Sequence, residues 1–384
     1  MSATSAVRPP DPSSSAEALA NLPPLRVDGR LDRFVEALGE SGVEAAVVVD
    51  GANVRWLTGF TGSNATVMVR SQGEALLVTD SRYAEQAPAQ LAASGCAEAV
   101  EVVVARSAAA AAAPRLSGAA RIGLEDSAAW VELIRWRDAT EAEMVPLRDV
   151  VEGLRAVKDA AELARMAAAA RVADEALASV APMLRPGVTE AQVQRALDDA
   201  IRSAGATGPA YETIVASGPN SALPHAAPTG RAMQSGDLVI VDVGAEVDGY
   251  RSDMTRTFVL GDAGDAATEM VEVVTRSQAA GIEAVCAGAQ AQQVDGACRS
   301  VISEAGMGDA FVHGTGHGVG LDIHELPRLS AGSTALLQAG NVVTVEPGVY
   351  FPEVGGVRVE DMVVVTGDGC RPLTLHPKPS PASA

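Results

Sequence analysis

The sequence predicts an α/β domain over residues 27–152 followed by an α+β domain over residues 153–373. The first half alternates helical and strand patterns, whereas the second half opens with long helices and continues mainly with strands. A length of 384 residues also exceeds the usual size of one domain. Residues 1–26, rich in Ser, Pro and Ala, are predicted to be disordered, and residues 374–384 to form a flexible tail.

The first domain shows its alternation in regular order along the chain. Helices are predicted from near Leu31, over residues 82–93, in the following Ala-rich stretch, and through Trp130–Trp136. Short runs of Val, Leu and Ala between them have the composition of strands. The predicted strands are 45–49, 66–70, 75–79, 100–104 and 121–124.

Residues 151–185 open the second domain, and a long helix is predicted there over residues 158–184. Its apolar residues recur at spacings of three and four, and Pro186-Gly187 stops it. A second helix follows Thr189, a candidate N-cap, and ends at Gly205. Two more helices are predicted over 265–287 and 291–305.

Composition excludes several classes of function. A net charge of −20 argues against nucleic acid or an anionic membrane as a partner. Lys158 and Lys378 are the two lysines, and neither lies near a motif, which argues against Schiff-base or pyridoxal chemistry. The four cysteines form no CxxC pair, and no signal peptide or membrane span is predicted, so we expect a cytoplasmic protein.

Two aspartates are predicted to meet across a hairpin. Residues 238–260 read as two strands joined by a tight turn around Val247-Asp248-Gly249. If the loop is Val247-Asp248, Asp242 and Asp253 face each other directly. If the loop is Asp248-Gly249, they are diagonal neighbours. Both registers place the carboxylates on one face, with Cβ atoms roughly 5–8 Å apart.

A glycine-rich segment over residues 313–325 carries a cluster of histidines. Glycine at every second position from 314 to 320 argues against a helix and lets backbone and imidazoles approach a ligand closely. The zinc motif HExxH is absent, because Leu326-Pro327-Arg328 follows His324-Glu325. The clustered histidines are His313, His317 and His324.

Two glutamates complete a set of candidate metal ligands. Glu346 ends a strand that Pro347-Gly348 stops, and Glu360 lies two residues after Arg358, on the same face of a valine-rich strand. Within such a strand we expect the arginine to form a buried charge pair. Four carboxylates and one imidazole suit two Mn²⁺-like ions better than one tetrahedral Zn²⁺, and paired ions activate water for hydrolysis. The candidate ligands are Asp242, Asp253, His317, Glu346 and Glu360.

In order and spacing, these motifs resemble those of the pita-bread (creatinase/aminopeptidase) metallopeptidases, in the Xaa-Pro aminopeptidase (aminopeptidase P) and prolidase branch. The resemblance covers nearly the whole chain and is weaker in the first half. The segments that carry it are 211–225, 242–258, 313–325 and 344–361, with 56–65 and 80–87 less specifically.

The resemblance implies a creatinase-like amino-terminal domain, a pita-bread catalytic domain and two divalent metal ions. By this resemblance, Asp242 chelates one ion, His317 and Glu346 hold the other, and Asp253 and Glu360 bridge them. We expect Mn²⁺, with Co²⁺ or Zn²⁺ as alternatives in vitro. The implied partners are proline-containing peptides and further copies of the chain, in a homodimer or higher homo-oligomer.

The resemblance also implies roles in catalysis. Glu346 is the candidate for moving a proton to the leaving imino nitrogen. His313 is expected to polarise the scissile carbonyl, and His324 to shape the proline side of the site. His225 is expected to contact substrate, and Arg358 to lie near its carboxyl-terminal side.

Competing interpretations remain at this point. A methionine aminopeptidase shares the five ligands but normally lacks the amino-terminal domain and a histidine at position 313. Creatinase shares the domain layout but lacks the full ligand set. A non-catalytic peptide-binding relative would keep its partner after metal removal, whereas an enzyme would lose activity. The sequence leaves open whether the enzyme is a dipeptidase or an aminopeptidase.

Overall fold

The structure is a computed structural model that describes residues 14–378. The chain forms two compact units. One is Pro23–Arg155, and the other combines the described residues up to Leu22 with those from Ala156 onward. The first unit ends at Arg155, three residues beyond the predicted end of the first domain at residue 152. Within residues 14–378, no helix is long and apolar enough to cross a membrane.

The Pro23–Arg155 unit confirms the predicted α/β alternation. Its strands are β1 Ala45–Val48, β2 Ala65–Arg70, β3 Ala75–Thr79, β4 Glu101–Val104, β5 Arg121–Leu124 and β6 Glu143–Pro146. They form one sheet in the order β4-β3-β2-β1-β5-β6, in which β2 alone is antiparallel to its neighbours. The first helix of the chain, α1 Ser15–Ala20, belongs to the other unit. The helices of this unit are α2 Arg30–Ser41, α3 Gly51–Thr58, α4 Gln86–Ser94, α5 Ala108–Ala112, α6 Trp130–Ala139 and α7 Val150–Arg155.

The second unit is the predicted α+β pita-bread domain. Its further helices are α8 Ala160–Val180, α9 Glu190–Ser203, α10 Gly264–Ala284 and α11 Ala291–Glu304. Its strands are β7 Gly208–Pro209, β8 Ile214–Ser217, β9 Leu238–Asp242, β10 Ala245–Val247, β11 Tyr250–Arg251, β12 Thr255–Val259, β13 Gly316–Gly318, β14 Glu325–Leu329, β15 Val342–Val345, β16 Gly348–Phe351, β17 Gly355–Arg358, β18 Asp361–Thr366 and β19 Gly369–Pro372.

Two apolar cores hold this unit together. In one, α8 and α9 pack against β9 and β10, and in the other, α10 and α11 pack against β15 and β18. The main sheets run β12-β9-β8 and β14-β13-β15-β18-β19. Because the helices cover one side of these sheets, the ends of β9, β13 and β15 are free to present polar side chains to a shared cavity.

The long helix predicted over residues 158–184 is confirmed by α8, which covers Ala160–Val180. Helix α7 ends at Arg155, and α8 starts after Asp159. The Asp159 carboxylate accepts hydrogen bonds from the backbone N–H groups of Ala161 and Glu162, and the Glu162 side chain accepts one from the Asp159 N–H. This capping box fixes the start of α8, and its sequence pattern is D-x-x-E.

The described ends of the chain are ordered, which corrects two predictions. Residues 14–22 include α1, whose Ser15 donates from N and Oγ to the Glu175 carboxylate at 2.9 and 2.6 Å. Leu19 and Leu22 pack on the α8–α9 core, so a few apolar side chains are enough to dock this segment. Residues 374–378 are also docked, by contacts described below. Residues 1–13 and 379–384, also predicted to be disordered or flexible, lie outside the described residues.

Candidate metal centre

The turn between β10 and β11 sets the positions of two aspartates. Asp248 and Gly249 both have positive φ, 46° and 73°, as a two-residue type I′ turn requires. Pairing continued from this turn places Thr255 opposite Asp242. Asp253, two residues before Thr255, is therefore the diagonal neighbour of Asp242. The second of the two predicted registers is confirmed.

Three carboxylates converge where this hairpin meets the segment between β17 and β18. Oxygen atoms of Asp242, Asp253 and Glu360 lie within 4.8 Å of one another. Oε2 of Glu360 accepts a hydrogen bond of 2.7 Å from Thr255 Oγ1, whereas Oε1 is buried without a hydrogen-bond partner among residues 14–378. A buried carboxylate oxygen without a donor is costly unless a cation binds it. The cluster therefore fits a metal site.

The charges in this cluster repel one another. Burial, together with the charges of Asp242 and Glu346, raises the pKa of Asp253 well above its usual range. Burial and the neighbouring carboxylates, Asp253 first among them, raise the pKa of Glu360 in the same direction. The fully ionised cluster is therefore unfavourable in the protein alone, and bound cations would offset the repulsion.

His317 lies beside the same carboxylates. Its Nδ1 is 3.0 Å from the carbonyl oxygen of Gly318, which can only accept, so Nδ1 carries the proton. In the neutral ring, Nε2 then presents a lone pair 3.3 Å from Oε1 of Glu346 and 3.6 Å from Oδ2 of Asp253. Three electron-pair donors pointing at one another at these distances are the arrangement of metal ligands.

All five predicted ligands border one cavity of about 660 Å³. Glu346 follows the last residue of β15, as the sequence predicts, and its Oε1 accepts a hydrogen bond from Thr344 Oγ1 at 3.1 Å. The other ligands come from the hairpin, from β13 and from the residues before β18. The strands thus bring together ligands that are far apart in the sequence. Asp242 and Glu360, the first and the last of them, are 118 residues apart.

Arg358 lies beneath the carboxylates and is only 3% exposed. The expected buried charge pair forms with Asp242, because Nη2 donates to Oδ2 of Asp242 at 2.8 Å. Nη1 donates to the Tyr350 hydroxyl at 2.9 Å and Nε to Thr255 Oγ1 at 3.1 Å. These bonds direct the guanidinium to a metal-ligand candidate. Arg358 also borders the cavity, and its expected place near the carboxyl-terminal side of a substrate stays a prediction.

The three histidines that are expected to contact substrate all border the cavity, and they differ in their exposure to solvent. His225 and His324 are exposed, whereas His313 is half-buried. Nδ1 of His313 lies 2.8 Å from the Gly314 carbonyl, and Nε2 lies 2.9 Å from the Tyr350 hydroxyl. Both ring nitrogens of His313 are therefore engaged. Polarising a carbonyl, the role expected of His313, requires breaking one of these bonds.

Burial lowers the pKa of two of these histidines. For His313, burial outweighs the charge of Glu346, which acts in the opposite direction. For His324, burial comes first and the neighbouring His317 second. The rings of His317 and His324 lie 4.4 Å apart between centroids, so a charge on one disfavours a charge on the other. Both shifts favour neutral imidazoles at pH 7.

Tyr211 is a functional residue that the sequence reasoning missed. Its hydroxyl lies between Oδ1 of Asp242 and Oδ1 of Asp253, within hydrogen-bond distance of both. Burial and the surrounding carboxylates raise its pKa well above the usual range, so the hydroxyl keeps its proton. Tyr211 opens the segment 211–225 that carries the resemblance, but nothing in its spacing reveals this contact.

Comparison with known proteins agrees with this geometry. The model of metallopeptidase family M24 matches residues 164–367, and that of the creatinase/prolidase amino-terminal domain matches residues 30–157. The Xaa-Pro dipeptidase of Pyrococcus furiosus is 37% identical over 254 residues, which cover 66% of this chain and 73% of that protein.

Solved structures extend the similarity to about nine-tenths of the chain. The Xaa-Pro dipeptidase from Bacillus anthracis superposes with a TM-score of 0.87 at 35% identity, covering 92% of this chain and 99% of that one. The X-Pro aminopeptidase from Thermotoga maritima gives a TM-score of 0.79 at 30% identity, covering 91% and 98%.

Fold and site together define a metal-dependent peptidase of the pita-bread type. The chain belongs to metallopeptidase family M24 and carries the creatinase/prolidase amino-terminal domain. Membership of this family implies divalent metal ions, as the carboxylate cluster does independently.

Proposed function

We propose that this chain hydrolyses the bond between an amino-terminal residue and a following proline. The observation that carries the proposal is the carboxylate cluster beside His317, with a Glu360 oxygen that lacks a donor within residues 14–378. The names of the two solved structures, an Xaa-Pro dipeptidase and an X-Pro aminopeptidase, indicate the same bond. The creatinase/prolidase domain also argues against a methionine aminopeptidase, which normally lacks it.

We infer that two divalent ions bind this site. Asp242 would hold one ion, and His317 with Glu346 the other. Asp253 and Glu360 would bridge them. An oxygen-rich set with one imidazole favours Mn²⁺, and Co²⁺ or Zn²⁺ are expected to replace it in vitro. When bound, the ions would polarise the scissile carbonyl and lower the pKa of a water molecule.

Glu346 is our candidate for moving the proton. Its carboxylate borders the cavity, and the bond from Thr344 Oγ1 fixes the orientation of Oε1. The leaving nitrogen of an Xaa-Pro bond needs a proton before the bond breaks, and a carboxylate that has accepted one from water can supply it. Arg358 and Tyr211 position the aspartates of the cluster, because each binds carboxylate oxygens from the protein side.

The cavity wall fits proline as the second residue. Ile214, Pro224 and Ile323 provide apolar surface close to His225 and His324. Proline has no N–H and a fixed φ, so it fits poorly where a site requires an extended, N–H-donating substrate. A shaped apolar wall with a few polar groups selects it instead.

A dipeptide is the substrate that the charges of the cavity favour. Arg328 borders the cavity and is exposed, and no carboxylate within residues 14–378 forms an ion pair with it. A guanidinium in this position suits the terminal carboxylate of an Xaa-Pro dipeptide. An aminopeptidase with an open site is the second candidate, favoured by the similarity to the Thermotoga maritima enzyme.

The test compares three substrates with Mn²⁺-loaded protein and a chelated control. We expect metal-dependent cleavage of an Xaa-Pro dipeptide, slower cleavage of an Xaa-Pro-Xaa tripeptide, and little cleavage of Ala-Ala. Preference for the tripeptide would identify an aminopeptidase. Equal cleavage of Ala-Ala, or none of either proline peptide, would refute the proposal.

Two further expectations accompany this function. A homodimer or higher homo-oligomer follows from the resemblance, and sedimentation of the purified chain tests it. Cytoplasmic location stays a prediction from composition, which cell fractionation tests.

A further inference from the structure

The carboxyl-terminal strap, which we define as residues 374–378, is anchored to the catalytic unit. The N–H groups of Leu375 and His376 donate to the Asp174 carboxylate at 2.8 and 2.9 Å. At the end of the strap, Lys378 Nζ lies 2.8 Å from Oδ2 of Asp361 and 2.6 Å from Oε1 of Gln278. Buried carboxylates and an ion pair therefore hold the strap at both ends.

Arg256 lies under the strap and is 1% exposed. Its guanidinium donates to the His376 carbonyl from Nε at 3.0 Å and from Nη2 at 2.6 Å, and to the Pro377 carbonyl at 3.2 Å. A buried guanidinium needs acceptors for all its donors. The strap supplies two of these acceptors, both of them backbone carbonyl oxygens.

The same guanidinium reaches the metal centre from the other side. Nη1 donates to the carbonyl oxygens of Thr255, at 2.9 Å, and of Glu360, and Nη2 donates to Oδ1 of Asp361 at 2.8 Å. Thr255 in turn binds the Glu360 carboxylate through its hydroxyl and the Glu360 N–H through its carbonyl. Arg256 thus joins the strap to the backbone of a candidate bridging ligand.

Glu360 depends on such support because it lies between strands. β17 ends at Arg358 and β18 begins at Asp361, so the β16–β17 and β15–β18 ladders do not include Glu360. Its N–H and carbonyl bond to Thr255 and Arg256 instead. The Arg256 side chain holds the Glu360 carbonyl, so we expect this end of the ligand to shift when Arg256 loses its partners in the strap.

We propose that the carboxyl-terminal strap is a positioning element of the metal centre, which acts through Arg256 on Glu360. The inference rests on the proposed function, because it assumes that Glu360 binds metal. A strap that only stabilises the fold would affect unfolding but not the affinity for metal. Support of a ligand from outside the metal site commonly changes metal affinity by about tenfold or more.

Two truncations of the full chain test the proposal. A chain that ends at Lys378 keeps the strap and serves as the matched control, and a chain that ends at Leu373 lacks it. Mn²⁺ binding is measured by isothermal titration calorimetry, and thermal unfolding is recorded with and without Mn²⁺. We expect the control to match the full chain, and the shorter chain to bind Mn²⁺ about tenfold more weakly, with a smaller rise in Tm on adding metal.

A full-length double variant, Asp174→Ala with Lys378→Met, tests the same point if the shorter chain fails to fold. It releases both anchors and leaves Arg256 in place, and we expect weaker Mn²⁺ binding in the same direction. Unchanged Mn²⁺ affinity in the folded strap variants would overturn the proposal while the proposed function stands. Absence of Mn²⁺ binding by the full chain would refute the proposed function, and the strap inference with it.

Discussion

Arg358 and Asp242 form an ion pair, with 2.8 Å between Nη2 and Oδ2, in which the arginine is almost fully buried. The pair places a permanent positive charge behind a cluster of carboxylates that repel one another. It also fixes one oxygen of Asp242, and the Tyr211 hydroxyl contacts the other. The positive charge of Arg358 offsets part of the repulsion among these carboxylates, which explains how the metal-free protein can fold with them close together.

Replacement of Arg358 is expected to cost stability as well as activity. Arg358→Met leaves the half-buried Asp242 without its ion-pair partner, and loss of one member of a buried pair typically lowers the free energy of unfolding by about 3 kcal/mol. Chemical denaturation of the metal-free protein measures it. Arg115→Met is the control, because Arg115 pairs with Glu74 and Glu101 at the surface, where about 1 kcal/mol or less is expected. Equal effects of the two substitutions would contradict the account.

Removing the Tyr211 hydroxyl is expected to weaken the metal centre without unfolding the protein. Tyr211→Phe deletes the group that lies between the carboxylates of Asp242 and Asp253. Mn²⁺ affinity or kcat is expected to fall by about tenfold. Tyr83→Phe, which removes a hydroxyl bound to Ser63 in the other unit, should leave both unchanged. The account fails here if Tyr211→Phe behaves like this control.

The carboxylate cluster is expected to make the metal-free protein sensitive to pH. The pKa of Glu360 is raised in the folded protein, so the folded state holds a proton that the unfolded state releases once pH exceeds about 4.3. Its contribution to stability is present at lower pH and is lost as pH rises toward the folded-state pKa.

The difference in Tm between the natural chain and Glu360→Gln, measured in chelator, isolates this contribution. We expect the Gln variant to gain relative stability steadily from pH 4.5 to pH 8, because it carries no charge to bury. A difference that stays constant across this range would show that Glu360 titrates normally.

Arg328 is expected to distinguish between substrates. Arg328→Met should raise KM for an Xaa-Pro dipeptide by about tenfold, because a hydrogen bond between charged groups is lost. KM for an Xaa-Pro-Xaa tripeptide, whose carboxylate lies one residue further on, should change much less. The two substrates serve as controls for each other on the same protein. A parallel rise for both would assign Arg328 a structural role.

Much of this architecture is predictable from the sequence because it depends on local patterns. The Asp248-Gly249 turn fixes the register of the hairpin, so the neighbourhood of Asp242 and Asp253 follows from a few residues. Where spacing and turn chemistry decide the structure, the prediction holds.

Contacts between distant residues escape such reasoning. Ser15 binds Glu175, and His376 binds both Asp174 and Arg256, across more than 100 residues in every case. Nothing in a Ser- and Pro-rich segment reveals the acceptor that docks it. The partner of Arg358 likewise depends on which strands meet, so the sequence indicates a buried pair but not Asp242 as its member.

A Mn²⁺ titration of the chelator-treated protein, followed by cleavage of an Xaa-Pro dipeptide at each point, tests the proposed metal centre and its activity together. We expect two ions to bind per chain, activity to appear as they bind, and Glu360→Gln to lose both. Dipeptide cleavage that persists in chelator, or a chain that binds no Mn²⁺, would contradict this expectation.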